Sequence, residues 1–65
     1  MLKIKIFEKG VLSKINVYRE DETLEQTDTY INGTVSKFEF FREDGTLKQI
    51  QTYHRGLVSK LESFN

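Results

Sequence analysis

The chain has 65 residues, ten basic and ten acidic side chains, no net charge at neutral pH and no Cys. A chain this short makes one domain, 1–65, near the lower limit for a self-sufficient core. The missing thiols exclude disulfide staples, thiolate metal sites and a cysteine nucleophile, and the balanced charge argues against nucleic-acid binding driven by a basic excess.

From the N-terminus, Leu2, Lys3, Ile4, Lys5 and Ile6 alternate apolar and charged. That is a strand period, over about 2–7, and not the continuous apolar run of a signal peptide. Lys9-Gly10 then predicts a two-residue hairpin turn into a strand over 11–18. A longer turn, Arg19 to Thr23, leads to a strand over 23–30. Asn32-Gly33 is the strongest type I′ signal of the chain, because both central residues need positive φ. The triplet Asn32-Gly33-Thr34 also matches a glycosylation sequon, but it is read as this turn. Strands over 34–41, 46–53 and 57–64 follow, joined by Glu43-Asp44-Gly45 and by Arg55-Gly56. The Glu43-Asp44-Gly45 loop predicts a left-handed residue at Gly45. Glu22 occupies the matching place in the earlier turn and is expected to be strained there.

The turns recur at one step. Gly10, Gly33 and Gly56 are 23 residues apart, and the pairs Ser13-Lys14, Ser36-Lys37 and Ser59-Lys60 keep the same step. Such a period marks a repeat array. The predicted fold is all-β: a single antiparallel six-strand meander of about 2.8 copies of a 23-residue hairpin unit, forming a curled sheet or half-barrel.

Uninterrupted pairing outward from these turns predicts rows of side chains across all six strands. One face has two outer apolar rows, Phe7, Leu12, Tyr30, Val35, Tyr53, Val58 and Met1, Tyr18, Leu24, Phe41, Leu47, Phe64. Between them run polar rows that hold Lys5, Lys14, Asp28, Lys37 and Lys60, with Asp28 between Lys14 and Lys37. The other face carries a middle stripe of Ile4, Ile15, Thr27, Phe38, Ile50 and Leu61, flanked by Val17 and Phe40. Exposed on a flat sheet, this stripe would form a patch on the order of several hundred Å², the size that marks an interface. Curling over a small core, face-to-face dimerisation and a covering partner are the three ways to bury it.

The unit that starts at Tyr30 reads Tyr-Ile-Asn-Gly-Thr-Val-Ser-Lys-Phe-Glu-Phe-Phe-Arg-Glu-Asp-Gly-Thr-Leu-Lys. An aromatic, two residues and Gly, then a strand, an aromatic, Asp-Gly and a strand opening with Leu, resembles the MORN-variant repeats of bacterial antitoxin-like proteins. It also resembles the tyrosine-aspartate repeats of large bacterial shell proteins. Tyr30, Gly33, Phe41, Gly45, Leu47, Tyr53 and Gly56 carry the likeness, which covers nearly the whole chain. The Tyr-Gly-rich core of a strict MORN repeat is missing, and Glu22 stands where a turn glycine belongs. The resemblance implies a hairpin array that binds proteins or lipids, or serves as scaffold, and does not imply catalysis.

The residues point away from an enzyme. His54 is the single histidine and adjoins a turn, which is too little for a zinc site. Glu20, Asp21, Glu22, Glu43 and Asp44 cluster at turns without the alternating ligand spacing of a calcium loop. No phosphate-cradling glycine loop precedes a helix. No cofactor is expected. No apolar run nears the roughly 20 residues of a membrane span, and the lack of Cys fits a cytoplasmic protein of a bacterium or of an infected cell. The expected function is a protein-binding module, for example a phage- or mobile-element-encoded inhibitor of a defence nuclease. Its partner-binding residues would be Ile4, Ile15, Val17, Phe38, Phe40, Ile50 and Leu61, with Tyr30, Tyr53, Lys14, Lys37 and Lys60 secondary. The alternatives are a self-assembling structural unit, such as a homodimer, and, more weakly, single-strand nucleic-acid binding through the lysine row.

Overall fold

A computed structural model describes residues 2–64. Six strands follow the chain: β1 (Leu2–Glu8), β2 (Val11–Tyr18), β3 (Leu24–Ile31), β4 (Thr34–Phe41), β5 (Leu47–His54) and β6 (Leu57–Ser63). They form one antiparallel sheet in sequence order. No helix is present among the described residues. Met1, predicted in an outer row, lies outside them.

Local chemistry shapes each turn as the residues demand. The pairs Lys9-Gly10, Asn32-Gly33 and Arg55-Gly56 all have positive φ, between 51° and 80°. This is the type I′ signature, whose twist matches that of the flanking strands. The two longer turns close through an Arg–Thr pair. Arg19 N donates to Thr23 O at 2.9 Å and Arg42 N to Thr46 O at 2.8 Å. Within them Glu22 N and Gly45 N each donate back to the arginine carbonyl at 3.0 Å. Both residues are left-handed, Glu22 at φ 72° and Gly45 at φ 89°. The expected strain at Glu22 is therefore present.

The predicted contacts beside the turns form: Tyr30 lies opposite Val35 and Phe41 opposite Leu47. Farther along, the register departs from prediction at every hairpin. Tyr30 opposes Val35 but Thr29 opposes Lys37, so Ser36 is an extra, bulged residue. Ser13 and Ser59 are bulged in the same way, and Glu25 and Lys48 are the extra residues of the two longer hairpins. A bulge sets two residues against one and re-aims the side chains beyond it.

The predicted stripe is consequently broken. The row containing Ile15 reads Lys5, Ile15, Asp28, Phe38, Gln51, Leu61. Ile4 and Ile50 belong to the adjacent row, separated by Asn16, Thr27 and Glu39. Adjacent rows face opposite sides of a sheet. Ile4 and Ile50 thus lie on the other face from Ile15, Val17, Phe38, Phe40 and Leu61. The lysine row is split as well. Lys14, Lys37 and Lys60 share a row with Ile6, Thr29 and Thr52, and Thr29, not Asp28, stands between Lys14 and Lys37. Lys5 and Asp28 are on the opposite face.

The sheet is a single open layer. Each strand touches only its neighbours in sequence, and the sheet does not close into a barrel. Val17 is the one buried apolar residue among those described, joined by Thr27 as a buried polar one. A curled sheet with a core of its own would bury Phe38 and Phe40, and both remain half-buried. The molecule measures 31 × 26 × 15 Å with a radius of gyration of 12.3 Å. A compact chain of this length has a radius of about 10.7 Å.

Candidate functional site

The central strands collect the larger side chains on one face. From β2 come Ile15 and Val17, from β3 Tyr30, from β4 Phe38 and Phe40, and from β5 Tyr53. The even strands are apolar here because Ile15-Asn16-Val17 and Phe38-Glu39-Phe40 alternate in phase with this face. The Phe38 and Tyr53 rings meet edge to face, with centroids 5.2 Å apart, and Phe38 and Phe40 stand 6.5 Å apart. Such pairs contribute about 0.5–1.5 kcal/mol beyond area burial. The cluster is thus part of the sheet's stability: Val17 is buried in it, and the other five side chains are half-buried and offer a partial surface.

Polar columns interleave with it. Gln26 donates to Asp28 at 2.6 Å and the Tyr53 hydroxyl to Gln51 at 3.3 Å. A shallow groove beside the cluster is lined by Lys3, Lys5, Ile15, Val17, Gln26 and Tyr30, among others. Leu61 is on this face but on the edge strand, 59% exposed. The structure therefore brings together Ile15, Val17, Tyr30, Phe38, Phe40 and Tyr53, and leaves Ile4 and Ile50 on the reverse side.

That reverse face is polar at its centre. Lys37 pairs with Glu39 at 3.8 Å and Lys60 with Glu62 at 3.6 Å, each along one strand. Thr27 donates to Asn16 at 3.1 Å. Exposed ion pairs of this kind add little stability, but they offset the charge of two of the three lysines. Tyr30 and Tyr53 lie on the far side from Lys14, Lys37 and Lys60, so bases stacked on these rings would not meet this lysine row. His54 sits exposed at the end of β5. Among the described residues, no group of three or more His, Cys, Asp or Glu side chains is placed to hold a metal ion.

Sequence reasoning missed one set of residues, Arg19 and Arg42. Each arginine leaves its turn and reaches the end of the second strand beyond. Arg19 donates to Thr23 Oγ1 and Leu24 O, both at 3.2 Å, and to Phe41 O at 2.5 Å. Arg42 repeats the set with Thr46 Oγ1 at 3.3 Å, Leu47 O at 3.0 Å and Phe64 O. The 23-residue recurrence of Arg before Glu-Asp was the signal that pointed to them. Opposite each arginine an aspartate caps the turn. Asp21 accepts from the Thr23 hydroxyl at 2.6 Å and amide at 3.0 Å, and Asp44 from Thr46 at 2.6 and 2.9 Å. These bonds, the hydroxyl's first, hold both carboxyls below their ordinary pKa.

No known protein-family model matches the chain, and no curated protein or solved structure matches it either.

Proposed function

We propose that this chain is a small, non-enzymatic protein-binding module that uses the aromatic face built by Ile15, Val17, Tyr30, Phe38, Phe40 and Tyr53. One observation carries the reading: a single-layer sheet that leaves Ile15, Tyr30, Phe38, Phe40 and Tyr53 half-exposed around a buried Val17. A compact monomer of its 7.7 kDa mass exposes about 4,300 Å². This one exposes 4913 Å². The excess, on the order of 600 Å², approaches the roughly 800 Å² that each partner buries in a standard interface. Aromatic side chains half-set in a sheet also lose little entropy on contact, as binding anchors must. The likeness to antitoxin-like repeats makes a bacterial target, such as a defence nuclease, the first partner to try, with the chain acting as its inhibitor in the cytoplasm.

The test is capture from bacterial lysate, identification of the bound protein, and affinity measurement with variants. Phe40→Ala is expected to weaken the complex by about tenfold or more. Lys14→Glu, on the reverse face, is expected to change it less than threefold, a rim-sized effect at most. If Phe38→Ala and Phe40→Ala both keep full affinity in a folded chain, the aromatic cluster only stabilises the sheet.

A second reading rests on the edges. Every residue of β1 is exposed, and so is every residue of β6 except Glu62. Unpaired edge strands invite pairing with another copy. A strict monomer at millimolar concentration, by light scattering, removes this reading.

A further inference from the structure

The three short hairpins share one backbone, and the middle one carries different chemistry. Lys9, Asn32 and Arg55 sit at φ 51°, 51° and 53°, each before a glycine at φ 78° to 80°. Lys and Arg satisfy this turn, so its geometry does not require Asn. Asn32 brings a carboxamide carbon next to the main-chain nitrogen of Gly33. Neither of the other two pairs has such a carbon.

Both groups are open to react. Asn32 and Gly33 are exposed. The turn closes between Ile31 and Thr34, and Gly33 N donates to no backbone carbonyl among the described residues. Nothing lies within 4 Å of a Cβ built on Gly33, and glycine itself has no Cβ to hinder its nitrogen. Asn16, the other asparagine among the described residues, is the contrast. Its side-chain oxygen accepts from the Thr27 hydroxyl at 3.1 Å, and the residue after it is the branched, buried Val17.

We propose that Asn32-Gly33 is a site of spontaneous covalent modification, at which the side-chain amide is lost and the central hairpin opens. Gly33 N attacks Asn32 Cγ. The N–Cγ bond forms, the Cγ–Nδ2 bond breaks, and Nδ2 leaves as ammonia with the proton from Gly33 N. Water then opens the resulting imide ring at one of its two carbonyls. Attack at Cγ gives an aspartyl residue at position 32, with the main chain restored. Attack at the main-chain carbonyl gives an isoaspartyl link, with Cβ and Cγ now in the chain. Both steps are acyl transfers, with water as the only added reactant and no change of oxidation state.

The two products differ in the turn. Asp-Gly also suits a type I′ turn, so the aspartyl product keeps the hairpin. It adds a negative charge to a groove that Arg55 and His54 also line, where the guanidinium offsets it. The isoaspartyl product lengthens a two-residue loop by one main-chain carbon. Ile31 then no longer meets Thr34, and the Tyr30–Val35 pair beyond it is lost. Tyr30 belongs to the aromatic face, so any consequence for partner binding rests on the proposed function, whereas the reaction itself does not.

The test incubates the purified full chain at neutral pH and physiological temperature. Beside it stands the free peptide Asp-Thr-Tyr-Ile-Asn-Gly-Thr-Val-Ser-Lys, the sequence of residues 28–37. Ammonia release and peptide mapping by mass spectrometry follow the reaction. One ammonia per chain and a gain of one dalton confined to the fragment with Asn32 are expected, with both aspartyl and isoaspartyl products. The rate is expected to lie within about a hundredfold of the peptide's, because a chain that had to unfold first would be slower than that. Asn32→Lys, which copies the first hairpin, is expected to fold and to release none. A slower reaction in the full chain, or a gain at Asn16 or Asn65 in place of Asn32, overturns the site. The separated isoaspartyl chain is expected to unfold at lower urea than the Asn32→Asp variant. Equal midpoints overturn the opening of the hairpin.

Discussion

The β2–β3 and β4–β5 turns are built alike from unlike residues. Both close on an Arg–Thr pair, both are capped by Asp, and both send a guanidinium to a carbonyl two strands away. They differ at the left-handed position, where one has Glu22 and the other Gly45. The backbone is the same within 17° of φ there. The ladder and the Arg and Asp hydrogen bonds thus dictate the turn, and the glycine only relieves it.

Four experiments break or sharpen that comparison. Removing the guanidinium should do most. Arg19→Ala is expected to lower stability by about 1–2 kcal/mol, and Arg42→Ala by less, because its acceptor Phe64 O is more exposed. Urea midpoints of the two variants check the order; a larger loss at Arg42 would count against the clamp. Gly45→Glu, which makes the second turn copy the first, is expected to cost about 1 kcal/mol. Nothing lies within 4 Å of a Cβ built there, so any cost is conformational and not a clash. The reverse exchange, Glu22→Gly, should stabilise by about 0.5–1 kcal/mol. A measured loss of thermal stability would contradict the strain at Glu22.

The smallest effect is on pH. Asp21 and Asp44 bond to threonine as carboxylates, so their folded pKa lies below the ordinary 3.8. Their contribution is full above that ordinary value and is lost as the pH falls through the lower folded values. Stability measured by urea should therefore decline in acid below about pH 3.8, and the decline should be shallower in Asp21→Asn/Asp44→Asn. An unchanged decline would show that other carboxylates carry it.

The two faces of the sheet show the same limits of local reading. Turn chemistry placed Tyr30 opposite Val35 and Phe41 opposite Leu47, and both pairs form. Beyond each turn one residue bulges, and a shift of one exchanges faces. The signal was present, since Ser13, Ser36 and Ser59 recur at fixed places. A serine in a strand does not announce a bulge, however, because no residue type is required there as glycine is in a type I′ turn.

From the sequence alone, the number of strands, their antiparallel order and the conformation of every turn were determined. These depend on period-2 alternation and on positive φ at named residues, which are local properties. The tertiary structure decided which apolar residues share a face. It joined Ile15, Val17, Phe38 and Phe40 to Tyr30 and Tyr53, and sent Ile4 and Ile50 to the reverse side. It also revealed the reach of Arg19 and Arg42 across two strands. Both outcomes depend on relations between strands: a bulge shifts the register, a long side chain spans two strands, and neither alters the local period.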